Sequence, residues 1–148
     1  MNDKTLKTLF SSAKQDWETP KKFYDQLDQE FHFDLDVCAT EENKKCPKYY
    51  SIIDDALSKE WHGTCFMNPP YGREIKHWIK KAHDEAQAGQ ATVVVLIPSR
   101  TGTAYFHSYI YNKPNVEIRF IKGRLKFGNS NNSAPFDSMV VIFHKNIK

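Results

Sequence analysis

Cysteine is scarce: Cys38, Cys46 and Cys65 form no CxxC pair and leave an odd count. Such a chain is no disulfide scaffold, and the usage fits a reducing, cytoplasmic compartment. Metal-binding spacing is absent too. His32, His62, His77, His83, His107 and His144 fall in no HExxH or paired arrangement, so no metal site is expected. Long apolar runs are also missing. The longest, Val93 to Ile97, is far short of the ~20 residues needed to cross a bilayer. The opening residues, MNDKTLKTLFSSAK, hold no apolar core of signal-peptide length. Charge of one sign is not in excess, because 21 Lys and Arg against 18 Asp and Glu leave +3. That balance permits nucleic-acid binding without requiring it.

What remains is an ordinary globular composition. At 148 residues the chain is long enough for one domain with a core of its own. Forty per cent hydrophobic and 26% charged residues exclude a disordered chain. No repeat, low-complexity tract or Gly/Ser linker divides it, so two units are expected: a flexible arm over residues 1–16 and a domain over 17–148.

The pattern predicts an alternation of strands and helices. Pro20 to Phe31 reads as a helix, with Thr19 as N-cap and Phe23, Leu27 and Phe31 at spacing four. Strands are expected at FDLDV, TCFMN, ATVVVLIP, VEIRFI, RLKF and SMVVIF. DDALSKEW suggests one or two helical turns. Arg73 to Ala88 suggests a longer helix, with Ile75, Trp78, Ile79 and Ala82 on one face and Gly89 at its end. A short helix is expected from Thr103 to Tyr111. ATVVVLIP, continuous and β-branched, suits a strand buried on both faces. The whole implies an α/β sheet, parallel at its centre and antiparallel at one edge. Ligands bind such sheets at the carboxyl ends of the strands. That rule selects Asp36 to Ala39, Asn68 to Tyr71 and Pro98 to Arg100.

Asn68-Pro69-Pro70-Tyr71 stands between an apolar strand and a helix. A relaxed pattern of this kind arises by chance in roughly one in 200 chains of this length. Its plain reading is a proline-stiffened turn with a packed tyrosine. Its chemical reading concerns an aromatic amine, whose lone pair is delocalised into its ring. An Asn carbonyl and a rigid backbone carbonyl, from Asn68 and Pro69, can each accept one N–H bond and aim that lone pair outward. Pro70 stiffens the arrangement, and Tyr71 offers a ring for a base to stack on. A base inside a duplex must be flipped out to reach such a pocket.

Further motifs accompany this one in order: ETP near the start, FDLDVCAT, NKKCPKYY, DDAL followed by Trp61, KGRLKFG and APFDSMVVIF. Together they resemble the phage-type DNA adenine-N(6) methyltransferases of the Dam group, over about residues 16 to 144. The resemblance implies a trimmed, Rossmann-like methyltransferase sheet. It also implies S-adenosylmethionine as methyl donor and double-stranded DNA as substrate, with action in the cytoplasm of a bacterial host. Thr19 and Pro20 would contact the methionine end of the donor. Asp36 would follow as the acid of the first strand, with small Cys38 and Ala39 allowing close approach. Asp54 or Asp55 would take the ribose or adenine end, since carboxylates only accept hydrogen bonds. The wider superfamily carries a Gly-rich loop after the first strand, which this chain lacks.

Between residues 113 and 128, Lys113, Arg119, Lys122, Arg124 and Lys126 face only Glu117. With Arg100 and Lys76 they form a candidate phosphate-tracking face, Arg100, Lys122, Arg124 and Lys126 being the leading DNA contacts. A charge-protected sheet edge is the plainer alternative. SNNS (130–133) is a polar loop that could enter a groove, and Trp17, Trp61 and Trp78 are expected in the core. Two other functions fit the same residues: an amino-methyltransferase acting on RNA or protein, and a catalytically silent DNA-binding relic of the fold.

Overall fold

The computed structural model describes residues 17–128 and 132–147, so the expected arm and the first half of SNNS lie outside the described residues. Helix α1, Lys21–Phe31, leads to strand β1, Leu35–Asp36, and to two single 3-10 turns, Ile52–Asp54 and Ala56–Ser58. Strand β2, Gly63–Met67, helix α2, Ile75–Gln87, and strand β3, Ala91–Pro98, follow. A π-helical turn, Phe106–Ile110, precedes strands β4, Val116–Phe120, and β5, Ser138–Phe143. The sheet order is β1-β2-β3-β5-β4. β1, β2 and β3 run parallel, whereas β5 is antiparallel to both β3 and β4. The chain is thus α/β, with a parallel centre and an antiparallel edge.

The β-branched run becomes the sheet's axis. Val93 to Ile97 are fully buried, with Val93, Val95 and Ile97 packing on the α2 side and Val94 and Leu96 on the α1 side. Burying each such side chain contributes ~1.5–3 kcal/mol. Ile75, Ile79, Ala82 and Ala86 bury one stripe of α2. Gly89 follows the α2 C-cap at φ 79°, a left-handed conformation that glycine adopts without strain.

Three local expectations are corrected. Thr19 does not cap α1: Pro20 occupies the N-cap, and the Thr19 hydroxyl is engaged elsewhere. RLKF is not a strand, because Leu125 and Phe127 turn into the α1-side core. The backbone there pairs locally instead, Ala134 N–H donating to the Leu125 carbonyl and Gly128 N–H to that of Glu18. FDLDV is a strand only at Leu35–Asp36; Phe33 packs with Tyr24, Phe31 and Phe66 on the α1 side, while Leu35 and Val37 enter the opposite cluster.

Topology sets the site. The carboxyl ends of β1, β2, β3 and β4 and the start of β5 share one end of the sheet. β3 runs beyond its partner: Met67 ends β2 opposite Val95, leaving Leu96 to Pro98 without a neighbour on that side. The Asn68–Tyr71 segment fills this notch.

Candidate active site

Asn68 leaves β2 with every polar atom of its side chain engaged. Its Nδ2 donates to the Trp17 carbonyl at 2.6 Å and to the Thr19 hydroxyl at 2.9 Å. Its Oδ1 accepts from the Tyr71 hydroxyl at 2.6 Å. The Tyr71 hydroxyl also lies 3.2 Å from the Leu96 carbonyl, the first acceptor exposed by the notch. Burial raises the Tyr71 phenol well above its ordinary pKa, so it stays protonated and donates. An amide oxygen has two lone pairs, so Asn68 Oδ1 retains one acceptor position. Pro69 and Pro70 are buried, and among the described residues no hydrogen bond is donated to the Pro69 carbonyl. Asn68 Oδ1 and the Pro69 carbonyl, on consecutive residues, thus each keep an acceptor position.

Tyr71 sits in an aromatic cage. Trp17 stacks on it at 6.0 Å with 25° between the rings, and Phe127 and Phe136 meet it edge-on. The sequence left Trp17 to the core, but it is half-buried here and covers part of the Tyr71 ring.

Beside this turn lies an open pocket lined by Glu18, Thr19, Asp36, Cys38, Asn43, Lys45, Phe66 and Asn68. Thr19, Asp36 and Cys38, singled out from the sequence, meet Asn68 there. Glu18, Asn43, Lys45 and Phe66 were not anticipated. Pro20 and Ala39 flank the pocket in sequence without lining it. Asp54 lies elsewhere, exposed in a capping box that receives the backbone N–H and hydroxyl of Ser51 at 2.7 and 3.1 Å. Asp55, also exposed, holds a left-handed φ of 52° between the two turns.

Asp36 organises the loop that follows it. Its Oδ1 accepts the Cys38 N–H and its Oδ2 the Lys45 N–H, both at 3.2 Å. Thr40 and Asn43 close the intervening turn reciprocally, Thr40 N–H to Asn43 Oδ1 at 2.6 Å and Asn43 N–H to Thr40 Oγ1 at 3.1 Å. A carboxylate thus gathers the loop where the wider superfamily has a Gly-rich segment. Burial raises Asp36 to about 7, against the two N–H bonds and the Lys45 charge, which pull it down. A carboxyl only 3% exposed with its pKa raised by burial is a candidate functional group. The Lys45 ammonium pairs with Glu18 at 3.3 Å, so the mouth carries both signs.

Arg100, Lys122, Arg124 and Lys126 are all exposed near the carboxyl end of the sheet, and Arg124 lies 3.4 Å from Asp137. Arg119 does not join them. Its guanidinium makes a two-pronged pair with Glu30 at 2.7 Å and a third bond to Glu117 at 2.6 Å, over the Phe31 ring. Among the described residues no group of three or more His, Cys, Asp or Glu could hold a metal ion, and no helix is long and apolar enough to cross a membrane.

A five-stranded mixed α/β sheet with a parallel centre and an antiparallel edge is consistent with a methyltransferase-like fold. The chain belongs to the DNA N-6-adenine-methyltransferase (Dam) family, which it matches over residues 7–147. It is similar to a DNA N-6-adenine-methyltransferase of Haemophilus phage HP1, at 29% identity over 140 residues, covering 89% of this chain and 80% of that one. A protein of the same name from Escherichia phage T1 is 33% identical over 93 residues, 61% of this chain and 38% of that longer one. Family membership makes this chain an adenine-specific DNA methyltransferase, which requires a methyl donor.

Proposed function

We propose that the donor is S-adenosylmethionine and that the target adenine is flipped out of double-stranded DNA onto the Asn68–Tyr71 turn. The observation that carries this reading is the pair of unused acceptors at Asn68 Oδ1 and the Pro69 carbonyl, beside a pocket of mixed charge. An exocyclic amine carries two N–H donors, and these acceptors match them one for one. Accepting both draws the nitrogen toward tetrahedral geometry and directs its lone pair out of the ring plane. Pro69 and Pro70 restrict the backbone beforehand, so little ordering remains at the moment of reaction. The carbonyl dipoles also stabilise the positive charge that develops on the nitrogen.

The donor set of the pocket fits S-adenosylmethionine. Lys45 suits the carboxylate and Glu18 the ammonium of its amino-acid end. Thr19 and Asp36 can hold polar groups, while small Cys38 keeps the wall low. When bound, S-adenosylmethionine supplies a methyl group on a sulfonium centre. Asp54 is outside the pocket lining, and both bonds of its capping box go to Oδ2, so its Oδ1 can still accept from the donor.

Tyr71 has two roles in this reading. Its hydroxyl fixes Asn68, and its ring stacks the base once Trp17 gives way. Arg100, Lys122, Arg124 and Lys126 contact phosphates and hold the duplex across the carboxyl end of the sheet. The site of action is the cytoplasm of a bacterial host, in keeping with the phage origin of the relatives.

The test uses duplexes with 2-aminopurine at the target position, together with calorimetric titration of S-adenosylmethionine. Fluorescence that rises on binding, with micromolar donor affinity weakened by Lys45→Ala, is expected. A duplex that binds without any fluorescence change contradicts flipping. A flat titration contradicts the donor assignment.

A further inference from the structure

We infer that the Trp17 carbonyl and the Thr19 hydroxyl are positioning groups that fix the amide of Asn68 in one orientation, and thereby require Asn where a carboxylate would not work. The inference rests on the reading of Asn68 as the amine acceptor. A backbone carbonyl can only accept, so the group 2.6 Å from the Trp17 oxygen must carry hydrogen. That requirement identifies it as Nδ2. The second Nδ2 hydrogen goes to Thr19 Oγ1, and the Tyr71 hydroxyl fixes the opposite end of the amide. Three partners, two from one distant segment and one from the turn itself, thus leave one hydrogen-bonding position on the side chain, an acceptor. That is what an amine N–H needs.

A carboxylate at position 68 would bring a second acceptor against the Trp17 oxygen. The Thr19 hydroxyl can rotate and donate instead, but the Trp17 carbonyl has no such freedom and cannot be removed by substitution. Only the protonated carboxyl restores the pattern, its O–H donating to Trp17 and its C=O facing Tyr71 and the substrate. Asn68→Asp is therefore expected to be an acid-activated variant. Groups that face position 68 also titrate or carry charge: Glu18, Asp36, Cys38 and Lys45 around the pocket, and Tyr71 on the turn. They are present in both proteins, so the ratio of variant to wild type at each pH is the quantity to read.

The experiment measures initial rates of methyl transfer to unmethylated duplex DNA by the full chain from pH 5.5 to 8.5, for wild type, Asn68→Asp, Asn68→Ala, Thr19→Val and Thr19→Ser. Asn68→Asp is expected roughly a hundredfold below wild type at pH 8, as for loss of one preorganised hydrogen-bonding group. Its ratio to wild type should climb by up to about tenfold per pH unit on acidification, as one protonation dictates. A misfolded variant would gain nothing from acid. Thr19→Val should lower kcat about tenfold whatever its effect on donor KM, with Thr19→Ser restoring it, since a serine hydroxyl accepts the same bond. A flat Asn68→Asp ratio, whether high or low, overturns the inference. So does a Thr19→Val variant that raises donor KM with kcat intact, which would assign Thr19 to the donor alone. Full activity in Asn68→Ala would overturn instead the role of Asn68 on which the inference stands.

Discussion

Asp36 costs the folded protein stability, and the cost can be measured. The unfolded chain ionises this carboxyl near 3.8, but the folded chain holds its proton until about 7. Between those values the folded state binds more protons, so stability falls as pH rises. The contribution is whole below pH 3.8 and gone above about 7. A three-unit shift at 1.36 kcal/mol per unit amounts to about 4 kcal/mol, an order-of-magnitude figure for so buried a group. Asp36→Asn has no charge to bury and keeps an oxygen for one of the two N–H donors. Urea denaturation of both proteins at pH 5, 6, 7 and 8 isolates the effect, because titrations common to both cancel in the difference. The stability of wild type relative to Asp36→Asn should drop by about 2 to 3 kcal/mol from pH 5 to pH 8, most of it before pH 7. A donor that gives Asp36 a hydrogen bond favours its ionised form. S-adenosylmethionine affinity in wild type should then rise toward pH 7, and the variant should lose both affinity and pH dependence. Parallel stability profiles, or a wild type that gains on the variant as pH rises, would refute this reasoning.

Three other substitutions separate the roles assigned above. Tyr71→Phe keeps the caged ring but removes the donor to Asn68 Oδ1, so kcat should fall about tenfold, while stability drops by only about 1 kcal/mol in denaturant. Replacing Lys122, Arg124 and Lys126 together by Gln should weaken binding to any duplex and reduce the slope of log affinity against log salt by up to ~0.9 for each phosphate that is no longer neutralised. Arg119→Gln should leave that slope unchanged, because its guanidinium is committed to Glu30 and Glu117. Arg119 is 37% exposed, so its loss should cost no more than about 1 kcal/mol in a melting experiment, after allowing for solvent screening.

The parts of the fold legible in the sequence were those written in side-chain periodicity. ATVVVLIP reads as a doubly buried strand because both faces of β3 are covered, and the stripe from Ile75 to Ala82 reads as a helix because one face of α2 is. Hydrogen bonds across long sequence separations were not legible. Thr19 looks like a cap by composition, yet its hydroxyl serves Asn68, 49 residues away. RLKF alternates like a strand, but Leu125 and Phe127 gain more by packing near Trp17 and Phe136 than by extending the sheet. At the site, the strand-end rule found Asp36 and Asn68 from local pattern alone. Asn43 and Lys45 escaped because the turn that brings them to the pocket is held by Asp36 together with the Thr40–Asn43 pair, and Glu18 because it arrives from the segment before α1. A signal existed in principle: a buried carboxylate needs N–H donors, and the loop just after it is the nearest supply.

The central claim is that the Asn68–Tyr71 turn delivers a methyl group from S-adenosylmethionine to adenine in DNA. The direct measurement incubates the purified chain with methyl-labelled S-adenosylmethionine and unmethylated DNA, digests the product to nucleosides and identifies the labelled one, with Asn68→Ala in parallel. Label on N6-methyladenine that falls by at least about a hundredfold in the variant is the expected result. Label on another nucleoside, or label that persists in Asn68→Ala, would contradict the account.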